Sequence, residues 1–265
     1  MRDDFTKDWF GEGQDPAAYD PVRSARGALK VKLPKRFYTE VSTGLVEGQY
    51  GVLLDGKPAR TRGRRLLASR QQPIAALVAA EWAAQGECID PSGMPATRFL
   101  HAALDHVAQA MDEVRADIVK YAGSDLVCYR ASEPTVLVER QAQLWDPVLA
   151  HCEARYGARF ALSSGIRFVE QPELSIAAVS ARLVDVADPI ALTALHGLTT
   201  NSGSALIAIA IADGVMDADA GFDAGECDAD YETGIWGFDT EAAERRIARL
   251  QEFRTAAMML HLVGA

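Results

Sequence analysis

Gly51-x-x-x-x-Gly56-Lys57 has the glycine and lysine spacing of a loop that cradles nucleotide phosphates. That chemistry also needs a Ser or Thr after the lysine, to put a hydroxyl on Mg²⁺, and a strand-to-helix setting. Pro58 stands where the hydroxyl belongs, and Asp55-Gly56 reads as a two-residue hairpin turn, since both positions tolerate positive φ. Asp217-x-Asp219-x-Gly221-x-Asp223, with Asp228 twelfth, has the alternating carboxylates of a calcium loop. Such a loop needs Gly sixth for its sharp turn and a bidentate Glu twelfth, and here Phe222 and Asp228 fill those places. His101 and His106 point about 140° apart around a helix and cannot grip one ion. His151, His196 and His261 fall on separate predicted helices. There is no GxSxG, HExxH or CxxC. No hydrolase or metal chemistry is therefore legible, no cofactor is implied, and an enzyme of unrecognised class stays as an alternative reading.

Two charged stretches remain. Lys57, Arg60, Arg62, Arg64, Arg65 and Arg70 form a dense basic run without interleaved aromatics. It reads as a hairpin edge whose cations block strand addition, with a nucleic-acid-binding module as the other reading. Asp213, Asp217, Asp219, Asp223, Glu226, Asp228, Asp230 and Glu232 put eight acids into twenty residues with no Lys or Arg between them. Such self-repulsion predicts a solvated acidic loop or a docking place for a basic partner.

The bulk charge narrows the partners. A net charge of −10 and a pI near 5.0 repel nucleic acid and anionic membranes. Four cysteines without a CxxC pair read as reduced thiols. The opening MRDDFTKDWFGEGQD lacks the apolar run of a secretory signal and the Arg/Ser richness of a transit peptide. The longest apolar stretch, Ala205 to Ala212, falls far short of the roughly 20 residues that span a bilayer. The expectation is a cytoplasmic protein of bacterial type, with no membrane insertion.

The elements that must position these residues divide into two kinds, an α+β class. Residues 1–30 show no sustained period and read as a flexible arm. Residues 31–93 read as a small antiparallel β-rich domain with one covering helix: a strand at Phe37 to Val41, a hairpin of Tyr50–Leu54 with Lys57–Thr61, and a turn at Gly63. Ser69-x-x-Gln72 has capping-box spacing, Pro73 suits a first helical turn, and Gly86 suits its end. Residues 94–265 read as a larger all-helical domain. Leu100, Leu104, Val107, Met111, Val114, Ile118 and Tyr121 make one long stripe, on one helix or two in line. Leu137, Gln141, Leu144, Val148 and Cys152 make another, with Pro147 forcing a kink or restart. Asp188-Pro189 opens a helix, Gly203 and Gly214 bracket an apolar one, and Asp239 or Thr240 caps the last, with Ile247, Leu250, Arg254, Ala257 and His261 on one face. Trp82 and Trp145 read as core residues.

Several short pieces occur in a specific order: Arg36-Phe37-Tyr38; Gly51 to Pro58; Glu81-Trp82; Met94-Pro95-x-Thr97-Arg98; Asp125-Leu-Val-Cys-Tyr-Arg130; Trp145-Asp146-Pro147; Ser202-Gly203-Ser204; and Cys227, Asp228, Tyr231, Glu232, Trp236-Gly237. On these, from Arg36 to about His261, the chain resembles the F1-ATP synthase assembly factor 2 family. It departs where Cys227 replaces a leucine and Glu232 a glutamine. The resemblance implies a chaperone without catalysis that holds the free α subunit of F1 before it joins β, monomeric when free. It marks Asp228 as the important acidic position, with Asp230 and Glu232 beside it and Trp236 as an aromatic anchor.

Overall fold

The computed structural model describes residues 33–165, 167–237 and 240–264, apart from the side chain of Trp236. The predicted arm and the candidate cap Asp239 lie outside the described residues. Two tight turns build the sheet. Val41–Val46 (β1) and Gln49–Leu54 (β2) pair antiparallel, Val41 opposite Leu54 and Val46 opposite Gln49. Glu47 and Gly48 between them take φ of 50° and 80°. Asp55 and Gly56, at 47° and 74°, then return the chain into Lys57–Pro58 (β3). Positive φ at both central residues matches the twist of the flanking strands. Ala68–Ser69 (β4) pairs with β2 at Gly51 and Tyr50. The predicted first strand is shifted and begins only at Val41. Arg36 instead pins the preceding segment by donating to the Tyr38, Thr39 and Gln85 carbonyls. The residue taking the positive φ in the next turn is Arg64, at 62°, while Gly63 is needed for closeness: its missing Cβ would lie 2.6 Å from the Asp105 carboxylate.

Gln72–Ala83 (α1) covers β1 and β2, burying Ile74, Ala75, Val78 and Ala79. Ser69 is not its cap. The Ser69 hydroxyl bonds the side chain and N–H of Gln71, and the helix ends at Ala84, two residues before Gly86.

The predicted stripe lies on two helices, Pro95–Asp105 (α2) and Met111–Gly123 (α3), separated by a single turn at Val107–Gln109 because His106 and Ala110 leave helical geometry. The short strand Tyr129–Arg130 (β5) leads to Thr135–Tyr156 (α4), which carries Pro147 inside one continuous helix. Ser163–Ser164 (β6) pairs parallel to β5, and Glu173–Val184 (α5) follows. Pro189–Ser202 (α6), capped by Asp188 as predicted, is the hub against which α2 and α3 pack. Nine of its 14 residues are buried, so it is a core helix rather than an amphipathic surface one. Ala205–Ala212 (α7) is buried through its first six residues.

The acidic stretch is not a loop. It forms Ala218–Gly225 (α8) and Cys227–Trp236 (α9). Thr240–Val263 (α10) then runs along α6 and α2, closing the core with Phe253, Ala256, Met259 and Leu260. The predicted stripe is therefore off by part of a turn: Ile247, Arg254 and His261 face outward. One continuous core runs from Tyr38 and Val52 to Leu260.

Candidate partner-binding site

The acids fold as helices because they sit where helices want negative charge. The Asp217 side chain accepts from the Ala220 N–H at 2.8 Å and caps α8, with Asp219 in its first turn. Asp228 and Asp230 occupy the first turn of α9. There the exposed N–H groups and the helix dipole favour carboxylates, by about 0.3–1 kcal/mol each. Cations missing from the stretch come from elsewhere in the chain. Arg254 forks onto Asp219 at 2.6 and 2.9 Å, and Arg246 onto Asp230 at 2.9 and 2.8 Å. Arg249 pairs with the buried Glu226. All three arginines are on α10. Asp213 is held by Arg182 of α5 and by His151 and Tyr156 of α4. Burial alone would raise the Asp213 carboxyl, but Tyr156, His151 and Arg182 more than offset it and hold it below the ordinary range. The Arg254 guanidinium likewise lowers Asp219.

Within α9 the predicted site residues part company. Asp228 is half-buried and accepts from Gln141 Nε2 at 2.7 Å, while Gln141 Oε1 accepts from the Ala131 N–H at 2.8 Å. Gln141 itself is 2% exposed, so this amide rivets the start of α9 to α4 and to the chain leaving β5. Asp230 points the other way, into the Arg246 fork, with Arg140 at 3.7 Å. Glu232, four residues beyond Asp228 and so on the same side, is exposed. Trp236 ends the helix, and its side chain lies outside the described residues. Cys227 is fully buried and its thiol is pushed up to about 11 by burial, with the Asp228 charge adding to it, so it serves as a packing residue where the family pattern has leucine. Gln141 and the arginines of α10 were missed. The signal for Gln141 was present: a polar residue inside an apolar stripe must find a partner.

Most of the other ordered pieces turn out to be joints that meet in space. Glu81 of α1 accepts from the Ala96 N–H, the Thr97 N–H and the Thr97 hydroxyl, each at 2.7 Å, and so caps α2 from outside. Arg98 crosses to Glu252 of α10 at 3.1 Å. The Tyr38 hydroxyl donates to the Trp82 carbonyl at 2.7 Å. Asp125 is completely buried; it accepts from the Val127 and Leu206 N–H groups at 3.3 and 3.1 Å, and from the Ser204 side chain, at the start of α7. Burial outweighs these bonds and lifts its carboxyl to about 6. Arg130 bonds Asp146 at 2.8 Å and lies 5.2 Å over the Trp145 ring, whose Nε1 donates to Ala224 at 2.8 Å.

These perturbed acids sit at helix junctions, not in surface hollows. A hollow of about 320 Å³ lies between Phe37, Tyr38, Lys57, Pro58 and Trp82. Among the described residues no three His, Cys, Asp or Glu side chains gather as metal ligands, and no helix is long and apolar enough to cross a membrane. The basic run lies on β3 and the turn after it, where Arg60 donates to the Arg64 carbonyl, except for Arg70, which follows β4.

Residues 35–153 match the family described as ATP12 chaperone protein. A crystal structure from Agrobacterium tumefaciens, of a protein described as a candidate chaperone, superposes with a TM-score of 0.83 at 40% identity, covering 92% of this chain and 91% of that one. Atp12 from Paracoccus denitrificans superposes with a TM-score of 0.78 at 34% identity, over 86% of this chain and 98% of its own. An aspartate-to-lysine mutant of that protein matches at the same score and identity. With identity above 30% over nearly the whole of each solved chain, this chain belongs to the ATP12 family of chaperones, which bind their targets rather than transform them.

Proposed function

We propose that this chain is an assembly chaperone that binds the free α subunit of F1-ATP synthase in the cytoplasm, as a monomer, and yields it to the assembling F1 complex. The observation that carries this reading is the near full-length match to Atp12. A free α subunit exposes the apolar surface that it buries against β, and large exposed apolar patches aggregate. A chaperone without turnover must cover that surface reversibly and lose it to β by competition. The side of α9 bearing Asp228 and Glu232, with Trp236 at the helix end, supplies the charged rim that sets registry and association rate. Asp230 supports this rim from behind, its own charge being spent on Arg246.

The test is size-exclusion chromatography with freshly refolded α subunit, with and without β. Co-elution that β abolishes is the expected result. Asp228→Asn keeps an oxygen acceptor for Gln141 and removes the charge, so stability should fall by no more than about 1 kcal/mol, the helix-dipole contribution, while α binding weakens by about ten-fold. Co-elution equal to that of the unaltered protein would remove Asp228 from the site. Aggregation of α as fast as in its own absence of chaperone would refute the function.

A further inference from the structure

The two edges of the small sheet differ in chemistry. At one, β3 is two residues long, with an exposed lysine and a proline that cannot donate, followed by Arg60, Arg62, Arg64 and Arg65. Short length, cations and proline guard an edge against strand addition. At the other, β1 reads Val-Ser-Thr-Gly-Leu-Val, six residues without a charge or a proline. The register fixes which of its backbone groups face out. Val46 and Gln49 flank the two-residue turn and bond each other, so by alternation Ser42, Gly44 and Val46 point toward β2. Val41, Thr43 and Leu45 point away. Val52, opposite Thr43, confirms the alternation: it turns its N–H to Leu67 and its carbonyl to Ala59, on the far side of β2. Among the described residues nothing hydrogen-bonds the N–H or C=O groups of Val41, Thr43 and Leu45. The Leu45 side chain beside them is 70% exposed.

We propose that the outer edge of β1 is a docking site for an extended segment of the client polypeptide, added as a further strand to this sheet. The proposal rests on the chaperone reading and adds where and how the client is held. Three outward N–H and C=O pairs over about 13 Å fit a strand and no other element. Glu40 and Glu47, both exposed, stand at the two ends of β1. They select a segment that is uncharged in its middle and basic at its flanks. They also disfavour a second copy of this chain, whose antiparallel pairing would bring like charges together. Strand addition suits a reversible holder, because backbone bonds give affinity with little demand on client sequence.

The test is residue-resolved amide hydrogen exchange on the full chain, alone and mixed with F1 α subunit, with co-elution measured on the same samples. Alone, Val41, Thr43 and Leu45 should exchange fast beside slow Ser42, Gly44 and Val46. In the complex the three outward amides should slow by at least 100-fold. Leu45→Lys places the missing guard on an exposed position, so it should leave the melting temperature unchanged and weaken α binding at least ten-fold. A complex that forms without slowing these amides overturns the inference and leaves the chaperone reading standing. No complex at all overturns that reading, and the inference with it. Slowing that grows with the concentration of this chain alone would make a second copy the occupant and likewise overturn the proposal.

Discussion

Asp125→Asn should change the pH dependence of stability with a sign fixed by the burial of this carboxyl. Asp125 is fully buried at the meeting of β5 and α7, and its carboxyl is lifted from an ordinary 3.8 to about 6 in the folded protein. Each pKa unit corresponds to about 1.4 kcal/mol, so the shift amounts to roughly 3 kcal/mol. The shift is upward, so the folded state takes up the proton first as pH falls. Between about pH 6 and 4 this site binds fewer protons in the unfolded chain, and the contribution of Asp125 to the free energy of unfolding rises as pH drops through that window. Above it the buried charge weighs against the fold in full. Asparagine cannot titrate. The stability of the unaltered protein minus that of Asp125→Asn should therefore increase by about 2 kcal/mol from pH 7 to pH 4, where the unfolded carboxyl has itself begun to take up protons. Carboxyls held low, such as Asp213 and Asp219, lose stabilisation on acidification in both proteins, so the difference isolates Asp125. Urea unfolding followed by the fluorescence of the buried Trp145 reports it. A difference that stays flat with pH would refute the argument that burial outweighs the hydrogen bonds at this carboxylate.

Glu81→Gln puts an amide N–H₂ against donors from Thr97, and should lower stability by about 2 kcal/mol, seen as a lower urea midpoint with unchanged slope. Gly225→Ala drives a methyl to 2.9 Å from Ser202 Cβ and 3.0 Å from its Cα, at a close approach of α8 to α6. Backbone cannot yield as a side-chain tip can, and thermal unfolding should show a loss of about 1–3 kcal/mol. Cys88 is exposed, whereas burial pushes the Cys128 and Cys152 thiols up to about 12 and the Cys227 thiol to about 11. A thiol reagent should thus titrate one cysteine per folded chain and all four only after unfolding.

Features set by local backbone chemistry were legible in the sequence. Asp55-Gly56 demanded a particular turn, and Asp188-Pro189 supplied both a cap and a residue that needs no N–H. Features set by distant partners were not. Ser69 had capping spacing, yet Gln71 captured its hydroxyl. The acidic stretch looked self-repelling because its neutralising arginines lie on α10, beyond the stretch itself. The buried face of α10 was misjudged for the same reason: Arg254 sat in the apparent stripe, but its fork with Asp219 turns it outward. At the candidate site, the resemblance pointed to Asp228, while its partner Gln141 became visible only when α4 and α9 met.

Helix α10 gives the fold an order of events. Its 24 residues seal α6 and α2, which stand open until they arrive. On a ribosome adding about 5–20 residues per second, Leu192, Leu195 and Leu198 wait on the order of 3–12 s for Phe253 and Met259 to emerge. During that interval the nascent chaperone presents a greasy furrow of its own, and it must survive the hazard from which it later shelters another protein.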